Sequence, residues 1–231
     1  MTTKDPMGLA IKDFFETQKK EVIQVFSDIA EPDIIPVEYL FRSYEQMPEI
    51  EQRALLLATG KILDVGAGAG SHALWLQNKG KDVMALEKSK LSAEVLKIRG
   101  VKNVLTDDFF KLDEKIKYDT LLFLMNGVGI AGSLEHLPQF LKKCKNLLSP
   151  GGKVLLDSSD LAYMFEEAEE LPEHYYGEVY YIMEYQGVKS EPFKWLFADF
   201  YSLAKQVELT GGKCKKIMDG KHFDYLAEIT W

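Results

Sequence analysis

Cysteine is nearly absent from this 231-residue chain. Cys144 and Cys214 are its only two, too far apart to form a disulfide framework or a thiolate metal pattern, so no metal site is expected and a reducing cytoplasm is the predicted compartment. No apolar run reaches the roughly 18 residues of a membrane span, and the first residues lack the charged and apolar halves of a secretory signal. Positive charge is in deficit, with 28 Lys and Arg against 36 Asp and Glu and a net charge of −8. A surface that tracks phosphates needs concentrated cations, which excludes nucleic acid as the expected partner. The clusters Lys142-Lys143-Lys145 and Lys213-Lys215-Lys216 are too short to reverse this and read as solvated surface. Linker-like stretches, repeats and low-complexity segments are also missing, so residues 1–231 are expected to form a single domain with embellishments.

What the chain does have is the stretch Lys61-Ile62-Leu63-Asp64-Val65-Gly66-Ala67-Gly68-Ala69-Gly70-Ser71-His72. A short β-branched apolar run predicts a buried strand, and the glycines that follow can take backbone angles that a Cβ forbids. Without side chains at Gly66, Gly68 and Gly70 a ligand can lie against the backbone, beside the unpaired N–H groups of the next helix. The spacing G-x-G-x-G differs from the G-x-G-x-x-G of dinucleotide loops, because position 71 is serine. Asp64, at the strand end, would sit poorly beside a pyrophosphate and suits a ligand that carries an ammonium group. A tight turn that binds nothing is the alternative.

Three further strand ends extend the pattern. Asp82-Val83-Met84-Ala85-Leu86-Glu87 closes on an acid 21 residues after Gly66, near the ~20-residue spacing of a ribose-binding carboxylate. Asn103-Val104-Leu105 leads into Thr106-Asp107-Asp108-Phe109-Phe110, and the buried run Tyr118 to Met125 ends at Asn126-Gly127-Val128-Gly129. A helix end, the turn Pro150-Gly151-Gly152 and a strand Lys153 to Asp157 follow. This succession resembles the class I S-adenosylmethionine-dependent methyltransferases, closely over residues 61–157 and more loosely to residue 231. The resemblance implies S-adenosylmethionine as cofactor, held by Asp64, Gly66, Ala67, Gly68 and Gly70. It places Glu87 on the ribose, Asp108 on the adenine amino group with Phe109 beside the ring, and Asn126 on the edge that faces the methyl donor. Asp107 is the alternative to Asp108. The implied fold is α/β and doubly wound, a mostly parallel seven-stranded sheet with an antiparallel final strand, and ligands of such sheets sit beyond the carboxyl ends of the strands.

The flanks are expected to carry what is particular to this chain. Phe15, Val22, Val25, Phe26 and Ile29 recur by threes and fours, which predicts one amphipathic helix over residues 5–30 opened by Asp5-Pro6. Residues 1–60 then form an N-terminal helical lid, with a second helix from Pro48 to Leu57. Tyr39, Arg42 and Tyr44 are either lid residues or filling between helix and sheet. Residues 158–198, rich in tyrosine, predict an inserted β-hairpin cap, with strands Val179–Tyr185 and Phe193–Ala198 around Gly187 and Pro192. A helix from Asp199 to Leu209 and a final β-hairpin complete residues 199–231.

The function implied is methyl transfer to a small-molecule acceptor by in-line displacement, for which the protein mainly aligns the acceptor and excludes water. Where an acceptor proton must leave, Asp160 and His174 are the candidate bases, each with a structural role as the alternative. His72 reads as packed at a helix start, and His136 and His222 carry no signal. Three other readings stand beside this one: an NAD(P)-dependent reductase, which Ser71 disfavours; a non-catalytic cofactor-binding or scaffold protein; and a protein methyltransferase.

Overall fold

In the computed structural model, which describes residues 4–165, 172 and 174–231, the chain opens with α1 (Pro6–Thr17), β1 (Val22–Ser27), β2 (Asp33–Pro36) and α2 (Glu49–Leu57). Then come β3 (Lys61–Val65), α3 (Ser71–Asn78), β4 (Asp82–Glu87), α4 (Lys90–Ile98), β5 (Val104–Thr106), β6 (Tyr118–Phe123), α5 (Leu137–Leu147) and β7 (Leu148–Ser159). Last are β8 (Glu178–Tyr185), β9 (Val188–Lys189), β10 (Phe193–Leu196), α6 (Phe200–Leu209), β11 (Lys213–Asp219) and β12 (Asp224–Thr230).

Seven strands form one sheet in the order β11-β12-β7-β6-β3-β4-β5. The pairs β4/β5 and β6/β7 are parallel, whereas β12 runs antiparallel to both β7 and β11. Helical crossovers α3, α4 and α5 make the parallel pairs possible. β3 and β6 are buried almost throughout, as strands covered on both faces must be. The Pro-Gly-Gly turn is absorbed as an irregularity within β7: Tyr118 pairs with Leu148 but Thr120 with Lys153. Among the described residues no helix is long and apolar enough to cross a membrane.

A second sheet, β10-β8-β1-β2 with β9 also on β8, was not anticipated. The helix expected over residues 5–30 stops at Thr17, because Gln18 turns left-handed at φ 58° and returns its N–H to Phe14. Val22 to Phe26 then alternates, burying Ile23 and Val25, and pairs with both β2 and β8. Alternation and β-branching outweigh the looser helical spacing. Residues 158–198 do contain a hairpin, turned by Gln186 (φ 47°) and Gly187 (φ 79°) between the paired Tyr185 and Val188. Its second arm is broken into β9 and β10 with Pro192, which has no N–H to give a ladder, between them.

Contacts divide the chain into two compact units: Met1–Met47, Asp64–Leu112 and Tyr180–Phe193 make the first, and Pro48–Leu63, Asp113–Val179 and Lys194–Trp231 the second. The first has a core of Ala10, Ile11, Ile23, Val37, Val95 and Tyr185. In the second, Phe123 meets Phe140 edge to face at 5.0 Å, and Leu121, Leu155, Leu203 and Ile229 are fully buried.

Candidate active site

The glycine turn lies in the first unit. Gly66 and Ala67 donate their N–H groups to Leu86 O at 2.9 and 3.0 Å, which ties the turn to β4. Gly66 and Gly68 have φ of +74° and +54°, and a Cβ on either would enter open space, its nearest neighbour Gly66 O, 3.8 Å from Gly68. That opening is a cradle which side chains would fill. Gly70 differs, since a Cβ there would lie 2.5 Å from Leu96 Cδ2. Its missing side chain admits α4 rather than a ligand. Gly70 precedes α3 and makes no side-chain cap, so the first turn of that helix starts beside the cradle. Asp64 is buried at the end of β3.

Glu87 closes over this turn. One carboxylate oxygen accepts from Gly68 N and the other from Ser89 N, both at 2.8 Å. Burial pushes the Glu87 carboxyl above its usual range and the charge of Asp5 adds to this, against the lowering by the two N–H donors. Asp108 is half-buried, caps the short turn Phe109–Lys111 by accepting from Phe110 N at 3.0 Å, and pairs with Lys88 at 2.9 Å. The bond from Lys88 holds its carboxyl below the usual range. Asp107 is exposed and accepts from the N–H of Asp108, while Phe109 is buried.

Tyr39, Arg42 and Tyr44 sit beside the same turn in the first unit. The buried Arg42 guanidinium lies 4.2 Å from the Tyr39 ring centre and donates to Tyr39 O. Tyr44 stacks on Trp75 of α3 at 4.5 Å, and Ser71 Oγ donates to Leu40 O at 2.9 Å. Residues 37–47 are thereby fastened to the first turns of the helix that follows the glycines.

In the second unit the end of β6 is a strained elbow. Met125 and Asn126 both have left-handed backbones, at φ 66° and 57°. The buried carboxylate of Asp157 clamps it, accepting from Met125 N at 3.0 Å and from Gly127 N at 2.9 Å. Asn126 Nδ2 donates to Leu196 O at 3.0 Å, whereas Asn126 Oδ1 is buried with no hydrogen-bond partner among the described residues. Such an atom costs about 1–3 kcal/mol of desolvation unless a ligand satisfies it.

Asp160 Oδ1 accepts from Ala162 N and from the Tyr176 hydroxyl, both at 2.9 Å. Tyr175 donates to Asp199 Oδ2 at 2.5 Å and accepts from Asp199 N at 2.8 Å. Burial raises both phenols, helped by Asp199 at Tyr175 and by Asp160 at Tyr176, so they stay protonated. Burial works to raise Asp199 as well, but bonds from Ser202 and Tyr175 outweigh it and hold the carboxyl below its usual range. His174 is exposed, His72 is buried at the start of α3, and His136 Nδ1 lies 2.8 Å from Ser133 Oγ. Three participants were not foreseen. Asp5 and Ser89 carried only helix-cap signals, and nothing in the sequence shows that Asp157, one more acid at a strand end, grips a loop some thirty residues earlier.

A parallel sheet with an antiparallel last strand, an open glycine cradle and an acid on the following strand define a nucleotide-binding α/β protein of the class I methyltransferase fold. The family described as "Methyltransferase domain" matches residues 63–156. A SAM-dependent methyltransferase from Bacteroides fragilis, solved in complex with S-adenosyl-L-homocysteine, is 49% identical over 98% of this chain and 94% of its own, with a TM-score of 0.93. The chain belongs to the SAM-dependent methyltransferases. Ubiquinone biosynthesis O-methyltransferase from Pectobacterium atrosepticum is 30% identical over 112 residues, 47% of this chain and 46% of that protein. The chain thus spans about half the length of the curated relatives it matches. The CcbJ methyltransferase of Streptomyces caelestis, 15% identical with a TM-score of 0.65 over 98% of both chains, shares the fold.

Proposed function

We propose that the protein binds S-adenosylmethionine and transfers its methyl group in line to a small-molecule acceptor, a hydroxyl oxygen being the acceptor atom that the names of the O-methyltransferase relatives suggest. The observation that carries this is the cradle over Gly66 and Gly68, roofed by a Glu87 carboxylate in a chain 49% identical to a methyltransferase solved with S-adenosyl-L-homocysteine. When bound, S-adenosylmethionine supplies an already activated sulfonium methyl.

The residues have binding and positioning work to do. Glu87 keeps lone pairs on both oxygens for the ribose hydroxyls. Asp108 takes the adenine amino group, with Phe109 packed behind it, and Asp64 with Gly66, Ala67, Gly68 and Gly70 forms the turn that receives the methionyl end. Asn126 Oδ1, buried and unsatisfied, accepts a ligand N–H or O–H. Where the acceptor must lose a proton, Asp160 is one candidate base. Among the described residues its side-chain bonds, from Ala162 N and the Tyr176 hydroxyl, fall on Oδ1. His174, exposed to solvent, is the other candidate.

The test is calorimetric titration with S-adenosylmethionine, S-adenosylhomocysteine and NADH, followed by a methyl-transfer screen over phenols, sugars and amines. Binding of the first two ligands and methylation of a small hydroxyl compound is the expected result. NADH binding alone would move the chain to the reductases, and silence with all three would leave a scaffold. Transfer only to a protein substrate would replace the small-molecule reading.

A further inference from the structure

We propose that Asp5 and Ser89 form a latch through which the N-terminal helix holds Glu87 against the glycine turn, so that seating α1 on α4 sets the affinity for the cofactor. The proposal rests on the reading of Glu87 as the ribose acid. An unbroken series of hydrogen bonds runs through the first unit. Gly8 N donates to Asp5 Oδ1 at 2.8 Å, capping α1, and Asp5 Oδ2 accepts from Ser89 Oγ at 2.6 Å. The Ser89 hydroxyl also accepts from Ser92 N at 3.1 Å, capping α4. Ser89 N donates to one oxygen of Glu87, and the other oxygen accepts from Gly68 N in the cradle, both at 2.8 Å.

The N-termini of two helices therefore share a single hydroxyl–carboxylate pair, and the backbone of that serine grips the acid over the cofactor turn. Gly8 shows how tightly the pair is built. A Cβ at this position would lie 2.3 Å from both Asp5 Oδ2 and Ser89 Oγ, so the third residue of the helix is glycine although alanine is the better helix former. Capping alone would not require α1 and α4 to meet through these two side chains. Ser89 bonds to Glu87 and Asp5 and acts on the cradle through Glu87, which makes Asp5 and Ser89 positioning residues.

The experiment measures S-adenosylhomocysteine binding to the full chain by calorimetry, for wild type and for Ser89→Ala, Ser89→Thr, Asp5→Ala, the double alanine variant, Gly8→Ala and Thr17→Ala. It is repeated with the 2′-deoxyribose analogue of the ligand. Ser89→Ala and Asp5→Ala should each weaken binding about tenfold, the equilibrium worth of one hydrogen bond to a charged group, and the double variant should lose little more than the worse single. Ser89→Thr keeps the hydroxyl and should bind like wild type. Gly8→Ala should weaken binding to a similar extent, because the added methyl pushes Asp5 and Ser89 apart. Thr17→Ala, at the far end of α1, should change nothing. With the deoxy analogue the Ser89→Ala penalty should shrink, because the effect passes through the acid on the ribose. Undiminished binding by Ser89→Ala or Gly8→Ala, or an equal penalty with both ligands, would overturn the latch. Wild-type protein that binds no S-adenosylhomocysteine would overturn the reading of the site on which the latch rests.

Discussion

Gly68→Ala and Gly70→Ala are matched substitutions, two residues apart in one turn, that should fail for different reasons. Both glycines have positive φ, +54° and +91°, where an L-residue pays about 1–2 kcal/mol. At Gly68 that is nearly the whole folding cost, since the added methyl meets only Gly66 O at 3.8 Å. At Gly70 the methyl falls 2.5 Å from Leu96 Cδ2 and 3.3 Å from Val101 Cγ2, in a buried contact with α4 and with Val101 just beyond it. Overpacking of that kind adds about 1–3 kcal/mol, for a total near 2–5 kcal/mol. In a chain of this size each kcal/mol moves Tm by about 2–4 °C. Gly68→Ala should therefore melt within about 8 °C of wild type yet gain no stabilisation from S-adenosylhomocysteine, since the methyl occupies the cradle. Gly70→Ala should melt lower still, while whatever remains folded binds. Thermal melts with and without ligand decide the matter. Equal destabilisation of the two variants, or normal ligand stabilisation of Gly68→Ala, would refute the division of this turn into a ligand-facing and a packing glycine.

Three other outcomes follow from the same contacts. Glu87 has a carboxyl raised by burial, so its protonated form persists above the usual glutamate range. Because the native carboxyl binds a proton more readily than the unfolded one, this group favours folding at low pH and loses that contribution as pH rises through the native pKa. Affinity for S-adenosylhomocysteine runs the opposite way, falling as pH drops through that pKa, and Glu87→Gln should remove this acid limb while weakening binding by about 1.5–3 kcal/mol; an unchanged pH profile would argue against Glu87. Asp157→Ala strands the N–H groups of Met125 and Gly127 and should cost about 2–4 kcal/mol in denaturant melts, with methyl transfer lost in the fraction that stays folded. Asp199→Ala removes the α6 cap and the partner of Tyr175, so about 1–3 kcal/mol of stability should go. A melting temperature like that of wild type would show that water replaces both bonds.

Where the signal was local, sequence and structure agree closely. The strand before the glycines, the strand ending at Glu87, the helix at Glu49–Leu57 and the last helix and hairpin all stand within a few residues of expectation. The N-terminal region is the failure. Five apolar residues at helical spacing run across Gln18, whose left-handed turn is not written in its side chain, and the strand beyond it finds partners some 150 positions away in β8. Pro192 reads as part of a turn, and only the ladder that reaches it makes it split the second arm of the hairpin.

The sequence by itself determined the cofactor half of this protein, because a strand, a glycine turn and an acid about 20 residues on are set by short-range backbone chemistry. Tertiary structure decided which glycine faces open space and which faces Leu96. It decided that Asp5 reaches Ser89, and that Asp157 holds the elbow at Asn126. Each of these is a contact between residues far apart in the chain, made by side chains that look locally like ordinary caps and strand ends. Periodicity and spacing report only what a residue's near neighbours constrain, whereas burial and hydrogen-bond partners are fixed when distant segments pack.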